Sequence, residues 1–401
     1  MTNIPLSPWP SFTREEVNAV RNVLLSNKVN YWTGNEGKQF EQEFADWCGT
    51  GYAVALANGT IALDAALLSL GVGKGDEVIV PPRTFIATAS SVVNAGATPV
   101  FADIDPDSGN ISAASISEVL TPKTRAIICV HLAGWPCDMD PIMALAEQHN
   151  LKVIEDCAQA HGATYKGRKV GSIGHVAAWS FCQDKIMTTG GEGGMVTTSN
   201  EKLWKKIWSL KDHGKSYDAV HNQQHPPGFR WLHESFGSNW RMTEMQAAIG
   251  RIQLRRMPVW RAARKTNARA IEDTCSQFPE ILHTPTPPET SEHAYYKFYT
   301  YIRSEALGPD WNRDRIMNDI SAQGIPCFSG SCSEVYLEKA FENTDSRPAV
   351  SLPNAKHLGE TSLMFLIHPT LTPAEIHRTC QAIETTLHKV LPHRQKLQAR
   401  N

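Results

Sequence analysis

Three short segments carry residues whose types and spacing can do chemistry. In ALANGTIALDAALLSLG an apolar strand ends at Asn58 and a helix starts at Gly59-Thr60. The first N–H groups of a helix lack partners and sit at the positive end of its dipole, which suits a phosphate. Gly59 permits close approach and Thr60 adds a hydroxyl; a plain helix cap would account for the same residues. In VIEDCAQAHGA, Glu155 and Asp156 close a second apolar strand. Successive side chains on a strand point to opposite faces, so one carboxylate goes to each side of the sheet. Such a carboxylate could pair with a cationic ring nitrogen, and Gln159 could donate to an oxygen on the same ring. Helix capping is the simpler alternative for Asp156. His161 suits structural hydrogen bonding better than catalysis.

The third segment is AAWSFCQDKIMTTGGEGGMVTTS. Ser180 lies in a strand, Lys185 follows five residues later, and four glycines surround Glu192 in the turn beyond. A catalytic lysine must be held, partly desolvated and able to lose its proton. Most lysines are simply solvated. The apolar strand before Lys185 and the tight turn after it distinguish this one. GGEGG is neither a dinucleotide-binding fingerprint nor a Walker sequence, which argues against a nucleoside triphosphatase.

The elements that must position these residues follow from hydrophobic periodicity. Residues 13–26 and 36–47 read as amphipathic helices. From residue 52 strands and helices alternate: YAVAL, EVIVPP, TPVFADI, TRAIICVHLA and LKVIEDC as strands, with TIALDAALLSL, TFIATASSVVNAG and DMDPIMALAEQHN as helices. Short β-branched runs between helices imply a mostly parallel sheet covered on both faces, with ligands at the carboxyl ends of its strands. VAAWSFC and GMVTTS add two strands. Beyond residue 243 the pattern changes to a long helix, with a bend expected near Pro258. It is followed by a strand in YYKFYTYI and helices in DRIMNDISAQG and TPAEIHRTCQAIETTLHKVL. That predicts a large domain over residues 1–250 and a smaller α+β domain over 251–401, ending in a solvated tail, HRQKLQARN.

With 41% hydrophobic and 20% charged residues among 401, the composition is that of a soluble globular chain. A net charge of −2 gives no global attraction to nucleic acid or to a membrane. The start MTNIPLSPWPSFTREE lacks the pattern of a signal peptide, and no apolar run is long enough for a transmembrane helix. Nine scattered cysteines without metal-like spacing suggest reduced thiols, a cytoplasmic setting and no metal site. The N-x-[ST] matches at Asn58 and Asn110 are expected to be fortuitous.

Taken in order, ANGTIALDAALLSLGVGKGDEVIVPPRTFIATASSVVNAGATPVFADID, VIEDCAQAHGATYKGRKVGSIG, SFCQDKIMTTGGEGGMVTT and GSNWRMTEMQAAIGRIQL resemble the DegT/DnrJ/EryC1/StrS family of sugar aminotransferases. The resemblance runs from about residue 8 to residue 385. It implies the type I aminotransferase fold, pyridoxal 5'-phosphate as cofactor, and a homodimer with active sites at the interface. By resemblance Lys185 is the Schiff-base lysine, Asp156 faces the pyridine nitrogen, and Gln159 lies near the phenolic oxygen. Gly59, Thr60 and Ser180 match phosphate-binding positions, and Phe85 matches the aromatic that stacks on the ring. Asn239 matches a residue reaching the neighbouring subunit's phosphate. The implied reaction moves an amino group from L-glutamate to a keto group of a nucleotide-linked sugar. A pyridoxal-dependent sugar dehydratase or lyase is an alternative, but that branch replaces the lysine with histidine. A non-catalytic regulatory relative is another, weighed against by the complete residue set. Where the family often carries a His-Tyr-containing stretch, this chain reads QGIPCFSGSCSEVYLEKAF, which leaves the sugar unassigned.

Overall fold

The computed structural model describes residues 5–391; HRQKLQARN lies outside that range. Helix α1 (Arg14–Ser26) begins with a capping box between Thr13 and Glu16, and α2 (Glu36–Cys48) ends where Gly49 turns left-handed. Alternation follows: β1 (Tyr52–Leu56), α3 (Gly59–Leu70), β2 (Glu77–Val80), α4 (Ala87–Asn94), β3 (Thr98–Phe101), α5 (Ala113–Val119), β4 (Thr124–Val130), α6 (Met139–Gln148) and β5 (Lys152–Asp156). A short pair, β6 (Thr164–Tyr165) and β7 (Arg168–Lys169), precedes β8 (Val176–Ser180) and β9 (Gly194–Thr198). Seven strands form one sheet in the order β1-β9-β8-β5-β4-β2-β3. Only β9 runs against its neighbours. The chain therefore has an α/β fold with a mostly parallel central sheet, as the sequence implies.

Both faces of the sheet are covered, for different chemical reasons. On one side α3 presents Ala62, Ala65 and Ala66, all fully buried, so helix backbone and sheet approach closely. On the other, Phe40 and Phe44 of α2 meet Trp179 and Phe181 in edge-to-face and tilted contacts. Each such ring contributes about 1.5–3 kcal/mol by burial.

One helix differs from its sequence expectation. TFIATASSVVNAG does not become helical until Ala87. Pro81-Pro82 carry the chain out of β2 without donors, and the Thr84 N–H is spent on the Cys332 carbonyl at 3.1 Å. Thr84 and Phe85 therefore stand in the turn ahead of α4, at the carboxyl edge of the sheet.

After α7 (Glu201–Lys211) and α8 (Tyr217–His221), α9 (Glu244–Cys275) runs for 32 residues, about 48 Å at 1.5 Å each. Pro258 sits inside it without ending it. The first half of α9 packs on α1 and α2. Its second half, from Ala268, enters a separate core. That core lies under an antiparallel sheet made of β10 (Leu282–His283), β12 (Phe298–Ile302), β14 (Ser362–Phe365) and β13 (Cys327–Phe328), in that order. Helices α10 (Arg313–Ala322), α11 (Pro353–Thr361) and α12 (Pro373–Val390) belong to this part, and β11 (Ser291–Glu292) pairs back onto β6.

No helix among the described residues is long and apolar enough to cross a membrane. The nine cysteines are all unpaired, and seven are buried. Asn58 caps α3 through its side chain, and Asn110 is buried with its amide bonded to Trp135 and Leu132, so both side chains have structural partners.

Candidate active site

Strand register brings the three segments together. Asp156 at the end of β5 pairs with Ala178 of β8; Ser180, the last residue of β8, pairs with Gly194, which in turn pairs with Leu56 of β1. The carboxyl edge of the sheet thus places Asp156, Ser180 and the Asn58 turn side by side. A cavity of about 560 Å³ opens there, lined by Gly59, Thr60, Phe85, Asp156, Gln159, Ser180 and Lys185.

At one end stands the start of α3. The Asn58 side chain takes the Ile61 N–H at 2.9 Å, and the first helical bond is made by Ala62 to Asn58 at 3.2 Å. The N–H groups of Gly59 and Thr60 precede both and face the cavity end, where an anionic group gains most. Space is set by two glycines. A Cβ on Gly59 would lie 2.6 Å from the Ser180 Cβ, and one on Gly194 would strike the Asn58 carbonyl. The strand end and helix start can meet only because both positions lack side chains.

Across the floor lies Asp156, buried, accepting from Thr88 Oγ1 at 3.0 Å and from the Ala158 N–H at 3.1 Å. Burial pushes its carboxyl up, and the Ala158 and Thr88 bonds and the Lys185 charge only partly counter this. A carboxylate so placed is short of one cation. A protonated ring nitrogen opposite it would supply that charge. Gln159 spends its carbonyl oxygen on the Ala133 N–H at 2.7 Å. That fixes the amide so that its NH2 remains to donate into the cavity. Phe85, 67% exposed, sits at the rim. The donor set therefore fits a flat aromatic ring that carries a phosphate, a basic nitrogen and an oxygen substituent.

Lys185 closes the remaining side. Its side chain is largely buried, with Nζ 3.9 Å from Asp184 and 5.0 Å from the centre of the Tyr296 ring. Its carbonyl accepts from the Trp9 indole at 2.9 Å. The turn beyond it is held by Thr189 Oγ1 on the Glu192 carbonyl at 2.5 Å and by Gln246 on the same oxygen at 2.8 Å.

Glu155, one residue from Asp156, points to the opposite face. It accepts from Gly171, Ile173 and Gly174 N–H groups at 2.6–2.8 Å and from His131 at 3.1 Å. Burial alone would raise its carboxyl; His131 and the backbone donors hold it below the usual range. Cys157 joins this group within 4.8 Å, a possible metal-ligand cluster. Glu155 is already saturated, however, and His131 Nδ1 accepts from the Cys137 N–H, so the cluster serves the fold. His161 lies buried between Trp179 and Phe181 beside the Ser180 backbone, and desolvation drops its pKa to about 3. It is a neutral residue placed among aromatics, outside the lining of the cavity.

Asn239 is the one candidate not brought to the cavity. It is exposed, while its neighbour Trp240 gives its carbonyl to the Ala57 N–H at 2.9 Å. The sequence reading did not single out Thr88, Asp184 or Tyr296. Thr88 had a signal, a hydroxyl one helical turn from Phe85; Asp184 and Tyr296 meet only through tertiary packing, where the Tyr296 hydroxyl donates to Asp184.

The chain is also similar to known proteins. Over 373 residues the chain is 39% identical to a GDP-perosamine synthase of Caulobacter vibrioides, covering 92% of this chain and 95% of that protein. It is 37% identical to a UDP-N-acetyl-3-dehydro-alpha-D-glucosamine 3-aminotransferase of Acidithiobacillus ferrooxidans, covering 91% and 92%. The solved aminotransferase of Psychrobacter cryohalolentis superposes with a TM-score of 0.96 at 65% identity, covering 96% of this chain and all of that one. Residues 10–384 match the DegT/DnrJ/EryC1/StrS aminotransferase family, so the chain belongs to that family and is a pyridoxal-phosphate-dependent aminotransferase.

Proposed function

We propose that this enzyme moves an amino group from L-glutamate to a keto group of a nucleotide-linked sugar, in the making of amino sugars for polysaccharide. The observation that carries this reading is the opposition of Lys185 and Asp156 across one cavity whose end is the start of α3. Pyridoxal phosphate, when bound, supplies an aldehyde carbon and an electron-accepting ring. Gly59, Thr60 and Ser180 would hold the phosphate, Phe85 would cover the ring, Gln159 would donate to its oxygen, and Asp156 would keep a proton on its nitrogen. The Lys185 amine would anchor the cofactor covalently. It would also take the proton from the donor's α-carbon and return one to the sugar carbon that receives the amine.

The test is to load the enzyme with amine from L-glutamate, remove 2-oxoglutarate, and add a panel of nucleotide-linked keto sugars. Return of the aldehyde-form absorbance with at least one of them is expected. The corresponding free keto sugar should react far more slowly, because the nucleotide supplies remote binding energy that positions the keto carbon. Equal rates with the free sugar would leave only a general aminotransferase.

The reading includes a cytoplasmic homodimer with shared sites, large and small domains at 1–250 and 251–401, and Asn239 serving the partner's phosphate. Support comes from the loop just before Asn239, where Phe229, Trp231 and Phe236 are 78%, 85% and 99% exposed. Three large rings in water within eight residues fit a surface that another copy covers. Mixing Lys185→Ala with Asn239→Leu under subunit exchange should restore activity. One site of the mixed dimer then carries both defects and the other neither, so up to about a quarter of wild-type activity is expected for random pairing. No recovery despite verified exchange would count against a shared site.

A further inference from the structure

The cofactor cavity continues into a second one of about 480 Å³, which shares Phe85, Gln159, Asp184 and Lys185 with it and adds Tyr296 and Lys297. Lys297 precedes β12. Its Nζ stands 4.8 Å from the centre of the Tyr296 ring, the ring that Lys185 approaches to 5.0 Å. The two ammonium groups therefore share one aromatic wall. Among the described residues Lys297 makes no hydrogen bond and no ion pair. The nearby carboxylate, Asp184, takes the Tyr296 hydroxyl and lies 3.9 Å from Lys185. Behind them Arg264 is 1% exposed. Its Nη1 donates to the carbonyls of Tyr295 and Tyr296, while Nε and Nη2 have no partner. Lys185 and Lys297 thus share a single carboxylate, with the Arg264 charge close by. A half-buried cation left without a partner is costly, and it becomes favourable when an anion enters.

We propose that Lys297 recognises the α-carboxylate of the amino donor. The proposal rests on the aminotransferase reading with L-glutamate as donor. The carboxylate is chosen over the sugar diphosphate on connectivity. It is one bond from the carbon whose proton Lys185 removes, so it must lie beside Lys185 in every turnover. A diphosphate on the anomeric oxygen is separated from a ring keto carbon by several bonds. Burial lowers the Lys297 ammonium to about 8, as expected for a cation waiting for its anion.

The experiment measures the two half-reactions separately on the cofactor-loaded enzyme, using Lys297→Met, Lys297→Gln and Lys297→Arg. Losing the charge should raise half-saturation by L-glutamate about 30-fold, with the limiting rate changed less than about fivefold. Lys297→Arg should recover most of the loss. Reaction of the amine-loaded form with the nucleotide keto sugar should stay within about threefold. Calorimetric binding of glutarate, an unreactive dicarboxylate, should weaken about tenfold in Lys297→Met and Lys297→Gln and recover in Lys297→Arg. Glutamate saturation unchanged within about threefold, or a loss that falls on the keto sugar instead, overturns the proposal. If the wild-type enzyme binds glutarate but takes no amine from glutamate, L-glutamate fails as the donor while the glutarate comparison still judges Lys297. If either neutral variant fails to fold, the other and Lys297→Arg carry the comparison.

Discussion

Lys185→Ala should abolish amino transfer, by about 10⁴-fold or more, while the protein stays folded and still takes up pyridoxal phosphate. The loss is large because one amine performs two tasks, anchoring the cofactor and moving the α-proton, and no neighbouring base can substitute. Asp184 is engaged by Tyr296, and His161 is buried away from the cavity among aromatics. Cofactor uptake should persist because the α3 N-terminus, Ser180, Gln159 and Asp156 are untouched. The wild-type protein should be yellow, and borohydride should fix the cofactor to a single tryptic peptide containing Lys185. A label on any other lysine would overturn the assignment. Lys185→Ala should show retained but unlabelled cofactor, separating loss of chemistry from loss of binding.

Much of this was legible in the sequence, and the reason is physical. Strands buried on both faces must be short β-branched runs, so β1 to β5, β8 and β9 stand out between Gly- and Pro-marked turns. Once the sheet is parallel, its carboxyl edge is the ligand side, and Asn58, Asp156 and Ser180 must gather there although they are far apart in sequence. Lys185 was less legible in isolation, since nothing in a lysine shows its burial; the glycine turn and the family resemblance singled it out. Periodicity places Phe85 within a helix because it is blind to where a donor goes. Its turn exists because Thr84 bonds Cys332, about 250 residues away. Two-residue strands such as β6 and β11 carry too few residues to show any period, and β14 follows α11 with no breaker between them. Lys297 was hidden for a related reason. Its neighbours in YYKFYTYI are aromatic, and only the fold shows that this strand's start turns toward Lys185.

Asp156→Asn should keep the fold and lower the rate of glutamate α-proton removal by about 10²–10³-fold at saturating cofactor. The substitution preserves size, and the amide oxygen can still accept from the Ala158 N–H; the amide NH2 replaces the oxygen that accepts from Thr88, whose hydroxyl must turn to accept instead, so the main loss is charge. That charge is poised by its surroundings. Burial works against it, two donors and the Lys185 ammonium work for it, and the balance leaves the carboxyl raised, awaiting a cation. Two unit charges about 4 Å apart, at an effective dielectric of about 20, interact by roughly 4 kcal/mol. Part of that is spent on desolvation, and the remainder corresponds to the rate loss expected. A neutral amide cannot hold a proton on the ring nitrogen. Negative charge left on the donor's α-carbon then has a poorer sink, and proton removal by Lys185 becomes the slow step. L-glutamate deuterated at the α-carbon distinguishes this from simple misfolding. The isotope effect on the first half-reaction should rise in Asp156→Asn, whereas a merely destabilised enzyme would lose active fraction with the isotope effect unchanged. Turnover equal to wild type at saturating cofactor would remove Asp156 from the mechanism and reduce its buried carboxylate to a cap on the turn after β5.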